Sequence, residues 1–246
     1  MGVYEEKVMQ ELIDWEKEML KRSPIYKRTA KRVQERINKV IPDRIQETIT
    51  NSIRHMVQAT LSGSEFTTKR LPIIGMSLEE RDQLLVEKQK TFKKTAMAEG
   101  AGTGAGGILL GLADFPLLLA IKMKFLFEAA RIYGYDTKNY AERIYLLHVF
   151  LLAFSDDDVR KETFLTIKEW EDYAARYGKS INDEWDWERF QMTYRDHIDL
   201  IKMLQMLPGL GAIVGAYANF HFLEDLGNTA KNCFRLRHLE SEKRMN

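Results

Sequence analysis

The stretch AEGAGTGAGGILLGLADFPLLLAIKMKFLFEAARIYGYD, Ala98–Asp136, decides how this chain folds. It holds seven of the fifteen glycines and passes from a glycine cluster into an almost uncharged apolar run, with Asp114 two residues before Pro116. Its letters include Gly102-x-Gly104-x-x-Gly107, the spacing of a dinucleotide fingerprint. That fingerprint needs a preceding strand in a β-α-β setting. Here TFKKTAMAE (91–99) precedes it and reads as helix. No lysine follows the glycines as a P-loop requires. The informative spacing is small-xxx-small, at Gly100/Gly104, Gly102/Gly106 and Gly107/Gly111. Missing side chains one turn apart let another backbone approach closely. Glycine inside a helix costs about 0.5–1 kcal/mol against alanine. Close packing after Ala105 is therefore expected, with a flexible or irregular lead-in before it.

Ile108–Ile121 is too short to span a bilayer as a plain helix, and it contains Asp114 and Pro116. Asp114 has three readings. It caps a helix that begins at Pro116, it is the buried partner of Lys122 or Arg131, or it is a functional group in a pocket. A second apolar, glycine-spaced stretch is MLPGLGAIVGAYANFHFLEDLG (Met206–Gly227). Met203–Leu223 has no formal charge, but Gln205, Pro208, Asn219 and His221 lower its hydropathy. Gly211/Gly215 repeats the one-turn spacing, one turn before Asn219. A buried helix from about Leu210, packed on the first glycine segment, is the expectation; a reentrant membrane hairpin is the sharper alternative.

The rest of the chain reads as helices. Its 246 residues carry 37 Lys and Arg against 36 Asp and Glu, a net charge of +1 that gives no global field for nucleic acid. The single cysteine, Cys233, excludes an internal disulfide and a cysteine-built metal site. No apolar secretory h-region opens the N-terminus. Val8, Leu12, Trp15 and Met19 mark one face of a helix over Glu5–Arg22. Pro24–Val40 follows as a basic helix in which Lys27, Arg28, Lys31, Arg32, Arg36 and Lys39 face only Glu35. Such a helix suits an anionic membrane surface or a solvated face of a bundle; it lacks the interleaved aromatics of a nucleic-acid binder.

A third helix runs to about Leu61 and stops at Ser62-Gly63. Leu71–Gly75 is a loop, and Ser77-x-x-Glu80 is a capping box that opens a charged helix to Glu99. A helix from Pro116 to Tyr133 ends at Gly134. Asp136 is expected to cap the next helix, which encloses His148 as a core histidine. Ser155–Asp158 reads as another capping box, Glu162–Tyr177 as one helix, and Asn182 as the cap of a helix bearing Trp185 and Trp187. His197 sits beside Asp196 and Asp199. The end, KNCFRLRHLESEKRMN (231–246), reads as a basic helix fraying into a polar tail.

Two stretches carry a resemblance. GAGTGAGGILLGLADFPLLLAIKMKFLFEAARIYGYD (Gly100–Asp136) and LPGLGAIVGAYANFHFLEDLGNTAKNCFRLRHLE (Leu207–Glu240) resemble the two signature stretches of the bacterial EcsC family, in the same order. ATLSGSEFTTK (Ala59–Lys69) resembles its Bacillus-type members, so the likeness covers nearly the whole chain. The resemblance implies a helical cytoplasmic protein whose gene accompanies an ABC transporter. It implies no activity and carries no catalytic residues.

The expected fold is therefore all-α, a multi-helix bundle with two glycine-rich apolar helical segments packed centrally. A charged N-terminal helical region (1–98) and a helical core (99–246) form one folded unit. The leading functional expectation is a non-enzymatic accessory protein without cofactor, cytoplasmic and peripheral to the inner membrane face. Its partners are an anionic membrane surface or ABC transporter components, not nucleic acid. Glu99, Gly104, Gly107, Gly111, Asp114, Pro116, Gly211, Gly215, Asn219 and His221 are the candidate functional or structural residues; Lys27, Arg28, Lys31, Arg32, Arg36 and Lys39 are the candidate membrane contacts. One alternative is a helical scaffold binding a partner. Another is an enzyme using Glu99, Asp114, His197, His221 and Glu224, although no recognised catalytic motif accompanies them.

Overall fold

A computed structural model describes residues 2–21, 43–63, 75–104, 108–155, 157–177 and 212–245. Among the described residues there are eight helices and no strand. They are α1 (Val3–Leu20), α2 (Asp43–Ser62), α3 (Leu78–Gly104), α4 (Ile108–Ile132), α5 (Tyr140–Phe154), α6 (Asp157–Lys168), α7 (Trp170–Tyr177) and α8 (Ala212–Met245). The expected helices over Pro24–Val40 and Ser180–Phe190, with Trp185, Trp187 and His197, lie outside the described residues, as do Gly107, Pro208, Gly209 and Gly211.

Helix α1 buries Val8 and Leu12, with Trp15 and Met19 packed beside them, as their spacing predicts. Glu5 and Glu6 complement the helix dipole in its first turn. Helix α2 buries Ile53, Met56 and Val57 and ends at Gly63, whose φ of +67° is left-handed. The expected capping box opens α3. Ser77 N–H donates to Glu80 Oε2 at 2.7 Å and Glu80 N–H to Ser77 Oγ at 3.3 Å. The Ser77 N–H and the Ser77 hydroxyl, which also donates to Oε2 at 3.0 Å, hold the Glu80 carboxyl below its usual range.

Several expectations are corrected. The irregular lead-in is helix: α3 runs unbroken through Gly100 to Gly104. Helix α4 does not begin at Pro116, so Asp114 is not its N-cap; Pro116 sits inside a helix that starts at Ile108. An interior proline removes one hydrogen bond and costs about 3 kcal/mol. Burial of Phe115, Leu118, Leu119 and Ile121 around it favours the continuous helix. Asn139, not Asp136, caps α5, accepting from Ala141 N–H at 3.0 Å; Asp136 instead turns the preceding loop by accepting from Lys138 N–H. The single helix expected over Glu162–Tyr177 begins earlier, at Asp157, and is interrupted at Glu169. Ser155 closes α5 as its C-cap, and the side chain of Asp158 is outside the described ones. The basic C-terminal segment does not fray early; α8 stays helical to Met245.

Gly134 ends α4 as its position predicts. With φ +94°, it lets Tyr135 N–H reach Ala130 O at 2.9 Å and its own N–H reach Arg131 O at 3.1 Å, a Schellman closure.

The core is continuous, from Val8 in α1 to Leu239 in α8. Helix α5 is buried nearly all round, which marks it as interior. The most extensive helix pairing among the described residues is α3 with α8. It is antiparallel: Asp82 meets Arg235, Gln89 meets Leu223, and Lys93 meets Glu224. Helix α4 folds back on α3, with Phe125 against Phe92 and Glu128 against Lys88.

Candidate functional site

Two buried polar centres line α8. In the first, Asp82 of α3 accepts from Arg235 Nε at 2.7 Å, from Tyr4 Oη at 2.7 Å and from Tyr133 Oη. Arg235 also donates to Glu11 Oε2 at 2.7 Å and to Tyr4 Oη at 3.1 Å. Four helix segments thus meet on one carboxylate and one guanidinium. Burial and the Asp82 carboxylate push the Tyr4 hydroxyl up to about 12 and Tyr133 higher still. Burial opposes the charge on Arg235, but Asp82 and Glu11 outweigh it and raise its pKa.

The second centre is two residues further on. Arg237 grips Glu142 with two bonds, 2.6 and 2.7 Å, and reaches Glu171 at 2.7 Å. Its guanidinium also lies 4.1 Å from the Tyr135 ring centre and 4.7 Å from that of Tyr145. Fork geometry and stacking together explain why arginine, not lysine, stands here. Tyr145 Oη donates to the Cys233 carbonyl at 3.0 Å. In both centres the polar groups are occupied by one another, which is the arrangement of a structural clasp.

Of the sequence-predicted residues, Glu99 and Gly104 fall on the last turns of α3, Gly111, Asp114 and Pro116 on the first half of α4, and Gly215, Asn219 and His221 on the first turns of α8. The two antiparallel registers carry all three stretches toward the same end of the bundle. The side chains of Glu99, Asp114 and Asn219 are outside the described ones. The six cations of the Lys27–Lys39 run are likewise outside the described residues.

His221 and Glu224, both named above for the enzyme alternative, face each other at 3.4 Å, and Glu224 also binds Lys93 at 3.1 Å. Among the described residues no group of three His, Cys, Asp or Glu is placed to hold a metal. His148 packs inside the bundle as the sequence suggests, against the stacked Trp170 and Tyr173 rings, with Nδ1–H donating to Ile144 O at 3.0 Å; burial lowers its pKa. Lys122 is fully buried in α4, and burial pushes its ammonium down to about 7.

Gly227 closes the α3–α8 pairing. A Cβ there would lie 2.0 Å from Gln89 Nε2. The missing side chain lets Gln89 reach the carbonyls of Leu223 and Glu224, at 3.0 and 3.2 Å. Between α2 and α4 an open groove of about 540 Å³ is lined by Ser52, His55, Met56, Ala59, Pro116 and Leu117. Leu117 is one of the few large apolar side chains left exposed.

The sequence reading missed both arginine centres. Asp82 stands in LEERDQLL (78–85), where it looks like its solvated neighbours. Arg235 and Arg237 alternate with Phe234 and Leu236 in a run that reads as surface. The only signal was that apolar alternation, which does not say which helices the arginines meet.

No helix among the described residues is long and apolar enough to cross a membrane. The model of the EcsC protein family matches residues 6–239. Protein EcsC of Bacillus subtilis (strain 168) is 47% identical over 233 residues, covering 95% of each chain. An uncharacterized protein of the same organism, YdbA, is 28% identical over 267 aligned positions, covering 98% of this chain and 93% of its own. No solved structure matches.

Proposed function

Because the chain belongs to the EcsC family, we propose that it is a non-enzymatic accessory protein working from the cytoplasmic face of the membrane beside an ABC transport system. The transport link follows from what the family resemblance implies. The observation that carries the membrane part is the run Lys27, Arg28, Lys31, Arg32, Arg36 and Lys39, opposed only by Glu35. It lies in the chain between α1 and α2, both of which are packed on the bundle. A basic segment adsorbs to anionic lipid with about 1 kcal/mol for each cation near the surface.

Sedimentation with vesicles tests this. Binding to phosphatidylserine-containing vesicles at low salt is expected, with loss in neutral phosphatidylcholine and at high salt. Replacing Lys27, Arg28, Lys31 and Arg32 by glutamine should abolish it. No binding at low salt, or binding indifferent to those substitutions, rejects the membrane role.

A second reading, a scaffold for a protein partner, has the α2–α4 groove and exposed Leu117 in its favour. A photo-crosslinker at Leu117 in cells should then capture one recurrent partner; capture of nothing, or of unrelated proteins only, rejects it.

A further inference from the structure

We propose that α1 is a releasable strap, which leaves its seat on α3, α6 and α8 as a unit while the other helices stay folded. Its polar attachments are spaced along its length. Tyr4 Oη donates to Asp82 at 2.7 Å, and Arg235 donates to Glu11 at 2.7 Å. Further along, Lys168 pairs with Glu16, and Arg160 donates to the Lys21 carbonyl at 3.0 Å where the helix ends. Glu11 is 44% exposed and Glu16 32% exposed, so water replaces these bonds as the helix lifts. The apolar hold is a single stripe: Val8 and Leu12 are buried, Tyr4, Trp15, Met19 and Leu20 pack beside them with Trp15 edge-on to Phe164, and Val3 and Ile13 face solvent.

The buried ion pair of the seat also survives without the strap. When Tyr4 and Glu11 depart, Asp82 keeps Arg235 Nε and Tyr133 Oη, so no buried charge is left alone. Removing one member of a buried pair is strongly destabilising; here the pair stays whole. What opens is a seat bearing Phe164 and Lys168 of α6 and Arg235 of α8, the partners of Trp15, Glu16 and Glu11. The inference does not rest on the membrane reading.

Native-state hydrogen exchange on the full chain, followed along a shallow denaturant series, tests it. The amides of residues 8–18 should exchange together, about tenfold or more faster than the slowest amides of α4 and α5. The double variant Glu11→Gln, Glu16→Gln should speed α1 exchange about another tenfold and leave α4 and α5 unchanged. Three results overturn the proposal: α1 exchanging in step with α4 and α5, the double variant speeding every helix equally, or protection that merely grades inward from Val3, which is fraying without concerted release.

Discussion

Asp82 and Arg235 are 153 residues apart in the chain and form an ion pair at 2.7 Å, each side chain only 5% exposed. The pair joins the first turns of α3 to the second half of α8, with Tyr133 of the α4 terminus bound to the same carboxylate. Asp82→Ala should cost about 3–5 kcal/mol, because it leaves the buried Arg235 guanidinium with only the half-exposed Glu11 as counter-ion and takes the shared acceptor from Tyr4 and Tyr133. Replacing both residues by apolar ones of similar volume should cost much less. Urea unfolding of the two variants checks this; equal losses in the single and double variants would mean that packing, not the pair, sets the energy.

Gly227 gives a prediction whose sign reverses with background. Gly227→Ala alone drives a Cβ into Gln89 and frees the Leu223 and Glu224 carbonyls. It should destabilise by about 1–3 kcal/mol. In a Gln89→Ala background the clash is absent, and the better helix former should stabilise by about 0.5–1 kcal/mol. A double-mutant cycle in urea reads the coupling.

His148 sets a slope with pH. Burial lowers its folded pKa below the ordinary 6.5, so the unfolded chain takes up this proton first as pH falls. Its contribution to stability is complete above about 6.5 and is lost as pH falls from there toward the folded value. His148→Phe should flatten stability between about pH 6.5 and 5, where few carboxylates titrate. An unchanged slope in thermal or urea melts would assign the dependence to other groups.

Cys233 serves as a reporter. It is fully buried, and burial pushes its thiol well above the usual value. Since the thiolate is the reactive form, labelling with Ellman's reagent should track global unfolding. Release of α1 alone should not accelerate it. Fast labelling of the native protein would show that the Tyr145–Phe234 region opens readily.

Much of the bundle is legible in the sequence because its signals are local. The Ser77–Glu80 box, the stop at Gly63 and the Schellman glycine at Gly134 are decided within one or two turns, and the structure shows each of them. The helix starts at Asp114 and Asp136 failed for one reason: capping chemistry was available at both, but packing decided. Apolar burial carried α4 through Pro116, and Asn139 lay nearer the apolar run of α5. The arginine centres are long-range. Nothing local distinguishes a cation that meets Glu142 across 95 residues from one that meets water. The candidate residues rest on two local signals, one-turn spacing for the glycines and lone polar groups in apolar runs for Asp114, Asn219 and His221, and neither signal assigns them a chemistry.

The separation between Asp82 and Arg235 also has a meaning in time. At about 5–20 residues per second, Asp82 emerges from the ribosome roughly 8 to 30 seconds before its guanidinium. Through that interval the nascent chain holds an acid with its chief counter-ion not yet made, and α3 and α4 lack the helix that covers them. The most exposed moment in this protein's life is therefore its own synthesis, when half-made chains present sticky surface to one another and to chaperones.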